Sequence, residues 1–355
     1  VGATGAGASQ GSAAVSDPLL VASVARRFYL GNRSKVEIGR EFGISRFKVA
    51  RLLEEGVARG IVRIDITVPA EIDVALSEEL AECFGLRHAV VVAGSGNGAD
   101  PLDSGRVTPW LGTAATQLMS RIIGEDDVLG LAWSRSVNHL GDTWTRLPPC
   151  DVVQLTGVHP DRPLDAAAVA AVHDAAAVSG GRAFPLYAPL VLPNALTASV
   201  LRSQPLIAET LSHIGRVTKA VVAIGSWHAG QSTVYDVLDE EGRRYHRSLG
   251  VCAELAGHLL TADGRLVETE LAERVISVGH EQLRAVPEVV GVAGGEAKAE
   301  AIAAVLRSGL LTGLVTDTAA ARRILLADRP RGGAGARGPG SRERHPADTG
   351  TPPRH

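Results

Sequence analysis

The sequence predicts an α/β protein in two parts: a small helical head of winged helix-turn-helix type and a larger body built on a parallel sheet. Three observations lead there. Residues 34–53 hold two short helical patterns either side of a glycine, with basic residues on the second. From about residue 88 onward, short β-branched runs alternate with helical patterns. Charge is also unevenly placed. Residues 18–68 carry ten Lys/Arg and five Asp/Glu (+5), whereas residues 69–328 carry 20 basic and 31 acidic residues (−11). A basic head on an acidic body suits a module that meets a polyanion joined to one that does not. A chance cluster of solvated helix charges would give the same count.

A length of 355 residues implies two domains or more. With 45% hydrophobic and 21% charged residues the composition is that of a soluble globular protein. Aromatics are only 4%, so the core must rest on Ala, Val, Leu and Ile. Cys83, Cys150 and Cys252 lie far apart, match no zinc spacing and read as buried free thiols of a reducing compartment. No apolar run approaches the ~20 residues of a membrane span. The first residues show no basic-then-apolar signal segment. A cytoplasmic protein is expected.

Residues 1–17, rich in Gly, Ala and Ser, are expected to be a disordered arm. Asp17-Pro18 reads as N-cap and first position of a helix carrying Leu19, Leu20, Val24, Phe28 and Tyr29, ended by Gly31-Asn32. Ser34 caps the next helix, and Glu37 three residues on completes a capping box. Val36, Ile38 and Phe42 are its apolar residues, loosely spaced for one face. Gly43 supplies the left-handed residue at its end, and Ile44 can plug the angle that follows. Ser45 caps a second helix whose Val49, Leu52 and Leu53 repeat at i, i+3, i+4 and point inward. Arg46, Lys48 and Arg51 are left to project toward phosphates or base edges, with Ser34, Lys35 and Ser45 at the helix starts as further DNA contacts. Two helices of an ordinary α-rich core would show the same spacing. Residues 61–68 alternate apolar residues with Arg63, Asp65 and Thr67, the pattern of a strand that would make the motif winged. The DNA-binding domain is therefore expected over residues 18–68. A connecting helix follows over 69–83, with Ile72, Ala75, Leu76, Leu80 and Cys83 on one side.

The body is expected over residues 84–328. Strands are predicted at 88–93, 127–133, 151–155, 183–192 (with a Pro break), 219–224, 289–293 and 313–316, and helices at 110–123, 136–144, 164–179, 196–214 (in two parts around Gln204-Pro205), 296–308 and 319–326. Such alternation means a parallel sheet covered on both faces, with ligands beyond the carboxyl ends of the strands. Residues 329–355, dominated by Arg, Pro and Gly, are expected to be a disordered basic tail.

Four constellations can carry chemistry, three of them at strand ends. Ser134-Arg135-Ser136 combines two hydroxyls and a guanidinium at a helix start, a competent phosphate cradle or an ordinary cap. Gly294-Gly295, with Lys298 one turn on, repeats that logic; the lysine would pair with a phosphate, form an imine with a carbonyl, or be solvated. Asp317 can accept a sugar hydroxyl or cap the following helix. Glu254, an isolated acid among small apolar residues, can bind a hydroxyl or lie on a helix surface. Histidines form no HxxxH-type pair, and no Cys/His or Ser/His/Asp set has a supporting signature. Gly94-Ser-Gly-Asn-Gly98 is only a partial nucleotide pattern. No cofactor or metal is expected.

Read together, several segments carry a resemblance. In the head they are Glu37-Ile38-Gly39, Ser45-Arg46, the run from Val49 to Leu53, and Gly60 to Ile64. In the body they are Leu111-Gly112, Gly130 to Trp133, Val153-Gln154-Leu155, Ala188-Pro189, Ile224-Gly225-Ser226, Val292 to Lys298, Ala301-Ile302 and Leu314 to Asp317. Over about residues 19–326 the chain resembles the sorbitol-operon-repressor (SorC) family of bacterial sugar-responsive transcription regulators. The resemblance implies a body with the sugar-phosphate isomerase and deaminase fold that has lost catalysis and binds a phosphosugar or free sugar. It also implies a homodimer or homotetramer on operator double-stranded DNA. By the same resemblance Ser134, Arg135, Ser136, Gly294, Gly295 and Lys298 are expected to line the effector pocket, with Glu254 in the place of a family acid; Gln154 and Asp317 are further expected effector contacts. The rival reading is a sugar-phosphate isomerase or deaminase with an accessory helical domain, for which Glu254 and Asp317 are the candidate general bases. A third is a sugar-binding module whose head meets another protein.

Overall fold

The computed structural model describes residues 16–31, 33–62, 72–93, 109–132, 144, 146–158 and 165–328. The chain divides into two compact units between Val68 and Pro69. Residues 1–15 of the expected N-terminal arm, the strand from residue 63 on, residues 136–143 of the expected helix and the basic tail lie outside the described residues, as do Ser134, Arg135, Ser136 and the Gly94–Gly98 stretch.

The first unit is three helices, α1 (Pro18–Tyr29), α2 (Lys35–Phe42) and α3 (Arg46–Ala58). Each start is set by a local cap. Asp17 accepts from Leu19 N–H, and Ser34 and Glu37 form the reciprocal capping box. Ser45 accepts from the Lys48 N–H at 3.2 Å. Gly43 turns the chain at φ 65°, a conformation that costs other residues ~1 kcal/mol or more. The turn then closes tightly: a Cβ on Gly39 would stand 2.7 Å from the Ile44 carbonyl. Val21, Val24, Ala25, Ile38, Val49, Leu52 and Leu53 form the core. The first helix thus buries Val21, Val24 and Ala25, while Leu19 and Tyr29, which the sequence pattern included, face solvent.

The second unit is a sheet in the order β1 (His88–Val92), β9 (Gly313–Asp317), β8 (Glu288–Val292), β5 (Lys219–Ser226), β2 (Val128–Leu131), β3 (Asp151–Gln154), β4 (Ala183–Phe184), all parallel. Successive residues serve opposite faces. Ala220, Val222 and Ile224 join one core and Val221 the other; Val289 and Leu314 join the first, Val290 and Val315 the second. Helix α5 (Pro109–Ile122) and helix α6 (Asp165–Ser179) supply the second layer. Helices α4 (Val74–Phe84), α13 (Ala299–Arg307) and α14 (Thr318–Asp328) supply the first. Between them run the short helices α7 (Ala195–Arg202), α8 (Pro205–Ile214), α9 (Thr233–Val237), α10 (Glu240–Ser248), α11 (Leu271–Arg274) and α12 (His280–Ala285).

Four expectations are corrected. The helix read as a connector is part of the body: Leu80 is fully buried in its core, while Ile72 and Cys83 at the ends are exposed. Cys83 is therefore no buried thiol, although all three cysteines are free. The 183–192 segment is a two-residue strand followed by isolated bridges at Pro189 and Val191. The sheet also carries an antiparallel flap that the sequence pattern missed, β6 (Val251–Leu255) and β7 (His258–Thr261), with β6 hydrogen-bonded to the last three residues of β5.

Candidate functional site

Strands 4-3-2-5-8-9 follow the doubly wound order, so the connection direction reverses between β2 and β5, the position beyond whose carboxyl ends folds of this kind bind their ligands. The end of β5, Ile224-Gly225-Ser226, stands at that switch point. Two charged side chains converge on it. Lys298 closes a 3-10 turn (Glu296–Lys298) rather than sitting within the continuous 296–308 helix expected from the sequence. Its side chain is buried, only 9% exposed, and Nζ donates to the Ile224 carbonyl at 3.0 Å. Glu254 faces Gly225 across the β5–β6 ladder. It lies on a buried strand, not on a helix surface.

The Glu254 carboxylate accepts from the Ser232 hydroxyl, from Val234 N–H at 3.1 Å and from the Gly257 amide. Burial pushes its pKa above the ordinary carboxylate range, while these donors and the Lys298 charge pull the other way. The flap fits tightly here: a Cβ on Gly225 would meet the Gln231 carbonyl at 3.1 Å and Ser232 Cα at 3.2 Å. Among the described residues, the Thr316 hydroxyl and the Gln231 side-chain oxygen are buried without a hydrogen-bond partner. Such atoms cost stability unless something polar pairs with them. Thr316 is the next-to-last residue of β9, and Gln231 sits in the loop after β5, where its backbone carbonyl accepts from Ser226 N–H. Sequence reasoning missed Ser232, Gln231 and Thr316; a serine before a short helix was the one signal, since Ser232 is its N-cap.

Asp317 resolves toward the structural alternative. Oδ1 accepts from Ala320 N–H at 2.8 Å and caps α14, and Oδ2 accepts from Gly295 N–H at 2.5 Å. Gly294 makes that second bond possible, because a Cβ there would overlap Asp317 Oδ2 and stand 2.6 Å from Leu111 Cδ1. Gly295 then turns at φ 93°. The diglycine is thus shaped by Asp317, and its Gly295 amide is engaged before any ligand arrives. Gln154, at the end of β3, is likewise engaged: Nε2 donates to the Thr156 carbonyl at 2.8 Å, and Oε1 accepts from Leu186 N–H at 3.1 Å. The structure therefore brings Glu254 and Lys298 together, sets Asp317, Gly294 and Gly295 beside them as a brace, and uses Gln154 to pin the 184–186 segment.

On the other side of the flap turn a separate cavity of about 430 Å³ is lined by residues that include Gly257, His258, Thr269, Val278 and His280. His258 Nε2–H donates to the Val278 carbonyl at 2.9 Å, and burial lowers its pKa from 6.5 to about 4, helped by neighbouring His280. A folded value below the unfolded one means that the unfolded chain takes up the proton first. Stability present above pH 6.5 should fall as pH drops toward 4, by up to about 3 kcal/mol. His258→Gln, which keeps a donor for Val278, is expected to flatten that part of a urea-denaturation profile measured from pH 7 to 4; an unchanged slope would assign the loss to other groups.

In the first unit Ser34, Lys35, Ser45, Arg46, Lys48 and Arg51 are all exposed. The two serines are occupied as caps. Lys35 Nζ lies 5.6 Å from the Phe28 ring centroid. Arg27 pairs with Glu41 at 2.7 Å and ties α1 to α2.

The family model described as "Putative sugar-binding domain" matches residues 68–326. The chain is 26% identical over 319 residues to YjhU of Escherichia coli (strain K12), an uncharacterised transcriptional regulator, covering 88% of this chain and 96% of that one. It is 29% identical over 328 residues to the transcriptional regulator LsrR of Klebsiella pneumoniae, covering 88% and 94%. The crystal structure of the full-length sorbitol operon regulator SorC from Klebsiella pneumoniae matches with a TM-score of 0.64 at 25% identity, covering 87% of this chain and 99% of that one. Fold, site and relatives define a transcriptional regulator: a three-helix head joined to an α/β ligand-binding body. The chain belongs to the sugar-binding-domain family of transcriptional regulators, that of the sorbitol operon regulator.

Proposed function

We propose that the three-helix head binds operator double-stranded DNA through α3, that the body binds a sugar or sugar phosphate at the carboxyl edge of β5, and that occupancy changes operator affinity. The regulator works in the cytoplasm as a homodimer or homotetramer. The observation that carries the reading is the buried Lys298 ammonium beside Glu254 at the switch point. A cation and a carboxylate with neighbouring hydroxyls suit the phosphate and hydroxyls of such a ligand. Ser134, Arg135 and Ser136 follow β2 directly in the chain and supply further phosphate donors in this reading. The carboxylates also argue for binding rather than turnover. Glu254 and Asp317 each already accept two donors, which engages both carboxylates within the protein. Among the described residues no helix is long and apolar enough to cross a membrane.

The test joins two measurements on the full chain. A panel of sugar phosphates is screened by thermal shift, because a ligand at 100 times its Kd stabilises by about 2.7 kcal/mol. The stabilising compound is then titrated into operator-bound protein at several salt concentrations. Operator affinity is expected to fall steeply with salt, with a log–log slope near −0.9 per phosphate contact, and to change on adding the compound. A flat panel, or a compound that stabilises without altering operator affinity, would overturn the coupling.

A further inference from the structure

Helix α3 presents to solvent a residue that a purely electrostatic DNA contact does not need. Phe47, at the second position of the helix, is 70% exposed. The buried stripe of this helix is Val49, Leu52, Leu53 and Gly56. At 100° per residue, Phe47 points directly away from the middle of that stripe, and Arg51 follows it at i+4 on the same outer face. The Arg46 guanidinium lies 4.8 Å from the ring centroid, covering one side of it with positive charge. Glu54, two turns further along the outer face, would repel phosphates and so favours a close DNA approach at the N-terminal half of the helix.

We propose that Phe47 reads a thymine in the major groove by packing on its C5-methyl group; the inference rests on the proposed operator binding. The chemistry singles out that target. A phenyl ring offers no hydrogen bond to a base edge and gains nothing from a phosphate. Among the groups displayed in the major groove, the thymine methyl is the apolar one. Flanked by Arg46, Lys48 and Arg51, the ring is held where cations bring the duplex close, and the N-terminal turn of a recognition helix is the part that meets base edges. A second protein would be the other apolar occupant. The cations around Phe47, in a head of net charge +5, favour nucleic acid.

Deoxyuridine lacks only that methyl and so isolates it. An operator is selected from a random duplex pool with the full-length protein, and each thymine in turn is replaced by deoxyuridine. At one thymine per half-site the replacement is expected to weaken wild-type binding about fourfold, the value of one buried methyl-sized group of ~0.8 kcal/mol. Phe47→Ala, at an exposed site outside the core, is expected to fold normally and to bind the thymine and uracil duplexes equally. A wild-type protein indifferent to every replacement would overturn the proposal, as would Phe47→Ala retaining the fourfold discrimination. A change in oligomeric state of Phe47→Ala with discrimination intact would assign the ring to a protein contact. Failure to select any operator would instead remove the DNA-binding reading beneath it.

Discussion

Methionine in place of Lys298 is expected to destabilise the body by about 1–3 kcal/mol at neutral pH, the cost of a buried acceptor left unpaired, and to abolish its response to effector. The side chain is buried and donates to the Ile224 carbonyl, and its charge favours the ionised form of Glu254, so its loss leaves that carbonyl unpaired and the buried carboxylate less favourable. The cost should depend on that carboxylate. Burial raises the folded pKa of Glu254 above 4.5, so its contribution is most favourable below 4.5 and is lost as pH rises through the folded value. The penalty of Lys298→Met should therefore shrink as pH falls. Glu254→Gln, whose amide oxygen can still accept from Ser232 and Val234, should recover the charge-dependent part of the lost stability in the double mutant. Urea denaturation of the four proteins of this cycle checks the coupling. Additive single-mutant effects would show that the two side chains act independently. Effector response should remain absent in the double mutant, which separates binding from stability.

Alanine at Arg46 or Arg51 is expected to lower operator affinity about tenfold or more each, with stability changed by less than ~0.5 kcal/mol. Both side chains are exposed and neither belongs to the head core of Val21, Ile38, Val49, Leu52 and their neighbours. The two classes of DNA contact are distinguishable. A side chain meeting a phosphate weakens all sequences alike and reduces the salt slope by ~1, whereas one meeting a base relaxes preference at one position. Anisotropy titrations on operator and scrambled duplexes at several salt concentrations make that separation. Full retention of operator affinity in the double Arg46→Ala, Arg51→Ala protein would remove α3 as the DNA-reading helix.

The head was legible because its determinants are local. Ser34 with Glu37, Gly43, and Ser45 with Lys48 act over three or four residues, and the burial of Val49, Leu52 and Leu53 follows from helical period. The parallel sheet was legible for a related reason: β-branched runs such as Val289 to Val292 are buried on both faces and need no alternation. The flap was not, because its two-residue turn is Ala256-Gly257, with Ala256 at φ 51°, and lacks the usual Asn-Gly or Asp-Gly signal.

The candidate site divides along the same line. Glycine and charge spacing alone drew attention to Gly294, Gly295, Lys298, Glu254 and Asp317. Their roles were decided by partners distant in the chain. Asp317 takes Gly295 N–H across 22 residues, Ser232 and Val234 hold Glu254 across 22 and 20, and Lys298 reaches Ile224 across 74. By itself the sequence determined the two-part fold, the caps and inward face of α3, and which strand ends carry polar groups, because propensity, capping and periodicity act within a turn or two of helix or along one strand. Only the tertiary structure decided that Glu254 is a buried strand residue, that Lys298 is desolvated beside it and that Asp317 braces the diglycine, because burial and pairing are set by which strands become neighbours in the sheet.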